Sequence, residues 1–259
     1  MRMTLDEAQT RAENRSNFNF INEFYLKEDG DGNIVRFLFT DPNEIEVHAV
    51  HMVRMTSKGG QSYLIQVDCH GEDCPLCKEA VHHKDEKMPL VSRVRDNIYL
   101  PLIAMYDQDG KFNPSYKVFV RTTNYYKNTL APFIKRNDLS VPTEIERAGK
   151  RNDTRVAYNL YEAKKDFDEK VITSKDSVCY EVATKSIDDL KADFEVQNDD
   201  ICGRTDSLVR TWTAEQVDMF LENPSTYPNI DGDNAGAKDE TPQEEVKPRA
   251  RNRASNHGF

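Results

Sequence analysis

Three of the chain's five cysteines, Cys69, Cys74 and Cys77, crowd into the run VDCHGEDCPLCKEAVHH at positions 67–83. Cys74 and Cys77 bracket Pro-Leu in a Cys-x-x-Cys turn, a spacing that aims two thiolates at one tetrahedral ion from the same side. Cys69 closes the apolar run QSYLIQVDC and is placed to add a third sulfur. An odd cysteine count and no apolar leader favour metal ligation or free thiols over a disulfide framework. A redox Cys-x-x-Cys would open a long helix in a βαβ unit, and no such pattern surrounds this one. The zinc deaminase signature carries its proline before the paired cysteines, whereas here it lies between them. A shell of sulfur and imidazole leaves no open position, so the chemistry expected is structural zinc, not catalysis.

The fourth ligand is a question of strand register. IEVHAVHMVRMTS and QSYLIQVDC read as two strands joined around Gly59-Gly60, and side chains alternate faces along a strand. With a three-residue loop, Lys58-Gly59-Gly60, Cys69 falls opposite Ala49 and His51 shares its face. With a two-residue glycine loop, Cys69 falls opposite Val50 and His48 has the right face. His82, on a short helix after Cys77, is a third candidate. The order of preference is His51, His48, His82.

The surrounding pattern is mainly β, of the α+β kind. FNFINEFYL and IVRFLFT flank a DGDGN turn, and NIYLPLIAMYD and YKVFVRT flank a QDGKFNPS turn, both hairpin chemistry. TNYYKNTLAPFIKR reads as helical and interrupted by Pro132. RVAYNLYEAKKD and VCYEVATKS read as one or two further strands. WTAEQVDMFLENP has a helical period, with Thr213 as cap and Pro224 as stop. Short strands with long polar connections predict a small Greek-key barrel or sandwich rather than a parallel α/β sheet. Residues 1–17 read as a polar N-terminal arm, 18–227 as the core, and 228–259 as a disordered tail without apolar periodicity.

The chain's 259 residues are 37% hydrophobic and 31% charged, with a formal net charge of -10. No run approaches the ~18 apolar residues of a membrane span, so a soluble intracellular protein is expected. Net acidity counts against nucleic acid, whose binding draws on phosphate neutralisation. The distribution says otherwise: acid gathers at 187–200 and 231–245, while between Arg93 and Arg136 basic residues outnumber acidic ones. Aromatics recur among those cations, the composition of a surface that stacks bases and follows phosphates. The candidates are Arg93, Arg95, Tyr99, Tyr106, Lys117, Phe119, Arg121, Tyr125, Tyr126 and Lys127. In YKVFVRT, Lys117, Phe119 and Arg121 share one face, read as the ligand surface, and Tyr116, Val118 and Val120 share the other, read as core. Phe18, Phe20 and Phe24 read as packing residues. No nucleophile–base pair, phosphate loop or paired carboxylates argue for an enzyme.

The order His51, glycine hairpin, Cys69, DCPLC, LVSRVRDNIYLPLIAMYD and YKVFVRTTNYYKNTLAPFI, over roughly residues 45–135, resembles the zinc-containing single-stranded DNA-binding proteins of tailed bacteriophages. The phage T4 helix-destabilising protein is the type of that family. The resemblance implies an OB-fold barrel with a zinc-binding subdomain, zinc held by His51, Cys69, Cys74 and Cys77, and DNA in an electropositive cleft. It further implies self-association through the N-terminal arm. The acidic tail is expected to contact phage replication and recombination proteins and to compete with DNA, all in the host cytoplasm. The function implied is sequence-independent single-strand binding in replication, recombination and repair, without catalysis or membrane attachment. A zinc-stabilised protein-interaction or transcription-regulating module is the other reading of the same features.

Overall fold

Runs of Val, Ile, Phe and Tyr bounded by Gly, Asn and Asp build a molecule that is mainly β. The computed structural model describes residues 23–56, 62–82, 89–150, 156–197, 200–202 and 207–224. The chain divides into two units, Met1–Pro228 and Asn229–Phe259. The second unit, the arm at 1–17, Phe18 and Phe20 lie outside the described residues. One sheet contains β1 (Gly32–Phe37), β2 (Glu46–Thr56), β3 (Ser62–Asp68), β4 (Arg95–Tyr106), β5 (Phe112–Thr122), β6 (Thr143–Ala148), β7 (Ala157–Glu162) and β8 (Val209–Arg210). Helix α1 (Pro75–His82) follows the cysteine turn. The helical stretch α2 runs through Thr123–Tyr125, Tyr126–Leu130 and Ala131–Ile134, and α3 (Tyr180–Thr184), α4 (Ile187–Asp193) and α5 (Ala214–Glu222) come later. Among the described residues no helix is long and apolar enough to cross a membrane.

The strand order is β7-β6-β1-β4-β2-β3-β8, with β5 on the other edge of β4. Strand β4 organises the whole. Its second half pairs with β1 through Phe37↔Leu102, and its first half pairs with β2 through Glu46↔Tyr99. Pro101 sits at the join. Leu38 N donates to Pro101 O at 2.9 Å, so the Pro101 nitrogen, which lies on the same side as its carbonyl, also faces the gap between β1 and β2. A proline that would break a central ladder is tolerated where one neighbour ends and the next begins. A bulge at Ala104/Tyr106 is closed by Asn33, whose side chain donates to Tyr106 O at 2.7 Å and accepts from Tyr106 N at 3.2 Å.

Both faces of the sheet centre are covered, which is why β1 and β4 read as continuous apolar runs. Val35, Phe37, Leu100, Leu102, Phe119 and Ile145 pack inside its curve. Ile34, Leu38, Ile103 and Met105 pack on the back against Val182, Ala183 and Leu190 of α3 and α4. A third cluster joins Val118 and Val120 of β5 to Val50, Tyr99, Ile201 and Val209. The curve brings β5 toward β7: Phe119 and Tyr158 have ring centroids 5.3 Å apart, edge to face. Among the described residues no ladder joins these two strands, so the sheet is large and open and the expected barrel is not closed.

Three elements differ from the sequence expectation. β1 pairs with β4 and β6 and not with the described part of FNFINEFYL, residues 23–26, where Phe24 N donates to Val118 O at 2.8 Å. VCYEVATKS is a helix, not a strand. The Ser177 hydroxyl accepts from Cys179 N at 3.0 Å ahead of α3, and Val182 and Ala183 cover the back of the sheet. TEIERA, hidden in a charged stretch, is β6, with Thr143 and Ile145 inward and the glutamates outward. The hairpins β2–β3 and β4–β5 match expectation, as does α5, where Thr213 and Gln216 form a reciprocal cap.

Candidate metal centre

The β2–β3 register decides the fourth ligand. Val50 pairs with Asp68, and Cys69 N donates to Ala49 O at 2.8 Å, the parity of a three-residue connection. His51 and Cys69 therefore project from the same face. Helix α1 brings the other two sulfurs: Pro75 stands at its start, where a missing N–H costs nothing, and Cys77 N and Lys78 N both donate to Cys74 O. Leu76, fully buried, anchors that turn.

The ligand atoms of His51, Cys69, Cys74 and Cys77 lie within 4.8 Å of one another. Cys69 Sγ and Cys77 Sγ are 3.5 Å apart; His51 Nε2 is 3.4 Å from Cys77 Sγ and 3.7 Å from Cys74 Sγ. Sulfur and nitrogen donors around one tetrahedral ion must sit about 3.5–3.8 Å apart, given metal–ligand bonds of roughly 2.0–2.3 Å. The residues fit a metal ion. His51 Nδ1 is 2.8 Å from Ser92 O, so it carries the proton and Nε2 presents its lone pair to the sulfurs. Burial holds the His51 pKa below the ordinary histidine value, against the opposing pull of the Ser92 carbonyl, and this favours the neutral, ligating form. Burial and the neighbouring Cys69 push the Cys77 thiol up to about 12. Cys74 goes the other way: burial opposes its ionisation, but hydrogen bonds from the His70, Cys77 and Leu76 backbone and from Cys69 hold its thiol below the ordinary value, and a bound cation would favour ionisation of Cys77 as well.

The other described histidines are placed elsewhere. His70 opens a His70-Gly71-Glu72 triplet just before the cysteine turn, but its Nε2 donates to Trp212 O at 2.7 Å, tying the loop to the segment before α5. His48 faces Glu46 and Asp68 on the opposite side of the hairpin. His82 is exposed at the end of α1.

The ten expected DNA-contacting residues divide by burial. Arg93, Arg95 and Lys127 are exposed. Tyr99 and Phe119 are fully buried, and Tyr106 nearly so. Tyr99 OH donates to Gln66 Oε1 at 2.7 Å, and Tyr106 OH lies 3.4 Å from Cys179 Sγ. Rings held inside the core are not faces on which a base can stack. The division of YKVFVRT into one core face and one ligand face is likewise corrected: Phe119 fills the inner cluster while Val118 and Val120 fill another. Arg121 is clamped between the Phe119 and Tyr158 rings, its guanidinium carbon 4.1 and 3.7 Å from their centroids. Tyr125 and Tyr126 lie on a helix, not an extended segment, and both pack against the inner core. Lys117 is half-buried in a groove of about 750 Å³ that also meets Lys27, Tyr25 and Phe167.

Rings that the sequence reading passed over are the ones left outside: Tyr25 is 51% exposed, Tyr161 46% and Phe167 47%. Alternation could have flagged Tyr161, since Tyr158 and Leu160 pack inward beside it. Compared with known proteins, the chain matches no family model and no curated relative.

Proposed function

We propose that the chain binds single-stranded DNA without sequence preference, in phage replication, recombination and repair, and that it catalyses no reaction. The open curved sheet serves as an OB-type scaffold, and the ion in the His51–Cys69–Cys74–Cys77 shell is zinc, the usual occupant of a tetrahedral Cys3His site.

One observation carries the reading. The imidazole that completes the metal shell grips Ser92 O through Nδ1, and the Ser92 hydroxyl accepts from Met52 N at 2.8 Å. Ser92 is the residue before the exposed segment Arg93–Arg95, so the clasp fixes where two surface guanidiniums emerge. Cations set rigidly at a strand start suit a phosphate backbone, and exposed rings such as Tyr25 and Phe167 suit sequence-tolerant stacking worth ~1–3 kcal/mol per base.

Fluorescence anisotropy with labelled oligo-dT and an equal-length duplex, over a salt series, tests this. Binding should favour the single strand and fall steeply with salt, and Arg93→Ala with Arg95→Ala should flatten the slope by about one to two phosphate equivalents. Equal affinity for both forms, or no binding at low salt, would reject the proposal and leave a protein-interaction module.

A further inference from the structure

The β2–β3 hairpin carries metal-ligating side chains on both faces. His51 and Cys69 occupy one; His48, on the same face as Val50, and Asp68, paired with Val50, occupy the other. There His48 Nδ1 lies 3.3 Å from Asp68 Oδ1, and Cys202 Sγ lies 3.0 Å from Asp68 Oδ2. The ligand atoms of these three residues are all within 4.8 Å of one another, and each residue is partly exposed, so an ion can reach them. Thr211 Oγ1 completes the group, 3.3 Å from Cys202 Sγ and donating to Asp68 Oδ2 at 3.2 Å.

The geometry points to a second, separate binding site for a zinc-class divalent ion, formed by His48, Asp68 and Cys202. One imidazole nitrogen, one carboxylate oxygen and one thiolate form a borderline donor set that selects zinc-class ions over magnesium or calcium. Three protein ligands leave a fourth position for water or for the Thr211 hydroxyl. A further contact supports the assignment independently. His48 Nε2 lies 3.2 Å from Glu46 Oε2. A ligating imidazole characteristically has its far N–H held by a carboxylate, which fixes the tautomer and turns the other nitrogen toward the ion. Glu46 does this while leaving Nδ1 free to face Asp68 and Cys202.

The site joins parts of the chain that the first cluster does not. Cys202 and Thr211 flank the segment that adds β8 to β3 in parallel, through Gln66↔Val209 and Val67↔Arg210. An ion here ties that late segment to the hairpin, and the Asp68–Cys69 peptide bond links the two metal positions. Without an ion, the same contacts are ordinary hydrogen bonds, with the Cys202 thiol donating to Asp68.

Metal content of the full chain, equilibrated with Zn²⁺ and desalted, separates these states. The expected result is two equivalents in the parent, one in Cys202→Ser and in His48→Asn, and one in Cys74→Ser. Saturating Zn²⁺ should also slow alkylation of Cys202 by about tenfold or more, because a metal-bound thiolate is withheld from the reagent. Loss of an equivalent in Cys202→Ser but none in Cys74→Ser still supports the second site and counts against the first. Unchanged metal content in both Cys202→Ser and His48→Asn, with Cys202 alkylated equally fast with and without Zn²⁺, overturns it.

Discussion

At His51 a single ring faces two ways, Nε2 toward the sulfurs of Cys74 and Cys77 and Nδ1 to Ser92 O. Two consequences of acidification then share a sign. Protons compete with the ion for the thiolates, so metal is released as pH falls. Burial also keeps the folded-state pKa of His51 below its unfolded value near 6.5, so below that pH the unfolded chain takes up a proton that the folded chain refuses. The stability contributed by neutral His51 is full above about pH 6.5 and is lost as pH drops toward the folded pKa. Metal content and melting temperature should therefore fall together between pH 7.5 and 5; a flat or rising melting temperature would contradict this. Cys74→Ser should empty the His51–Cys69–Cys74–Cys77 shell at every pH and cost several degrees, on the order of the 3–5 kcal/mol of other broken buried polar sets. The three cysteines were legible from spacing alone. His51 was not separable from His48 until the ladder fixed the parity, because parity belongs to a partner strand. Tyr99 and Phe119 were misread for a related reason: alternation announces one core face and is silent when both faces are covered.

The elements show where local pattern stops being sufficient. The hairpins β2–β3 and β4–β5 and the capped helix α5 were readable because their signals are local, whereas the DGDGN turn did not pair the runs on either side of it. Helix α3 and strand β6 were not, since each takes its form from what it packs against. Arg36 makes the point within one strand. IVRFLFT reads as a strand, and nothing in its local pattern shows that Arg36 is only 3% exposed. Helices α3 and α4, about 150 residues further on, close over that face. Its guanidinium donates to Ala183 O and Lys185 O, each at 3.2 Å, satisfying carbonyls at the end of α3 where a helix has no partners of its own. Arg36→Met keeps the aliphatic packing but strands two carbonyls. It should cost about 2–4 kcal/mol, or roughly 5–12 °C in melting temperature, and expose the α3–α4 connection to protease first. Arg36→Lys keeps one donor group and should recover part of the loss. Wild-type proteolysis and melting in both variants would show that the guanidinium does not hold α3.

Over the whole molecule, charge order counts for more than net charge. The second unit carries an acidic block, Asp231, Asp233, Asp239, Glu240, Glu244 and Glu245, and then a basic one, Lys247, Arg249, Arg251 and Arg253. These nearly cancel in sum, so a net charge of -10 says little about what this unit does to a nearby polyanion. Order matters because screening limits each block's reach to roughly 8 Å at physiological salt. If the acidic block competes with DNA for the cations near Arg93 and Arg95, removing only residues 247–259 leaves that competitor without its neighbouring counter-charge. Single-strand affinity should then weaken by about three- to tenfold at low salt, as a few phosphate-equivalent contacts are lost. Removing residues 229–259 should restore affinity to the parent value or above it. The difference between the two truncations should shrink as salt rises, since competition and binding draw on the same screened attraction. A synthetic peptide of residues 229–246 should displace oligo-dT from the longer truncation, with a potency that falls in the same salt range. Equal affinities for all three chains, with no displacement by the peptide, would assign the second unit no part in DNA binding.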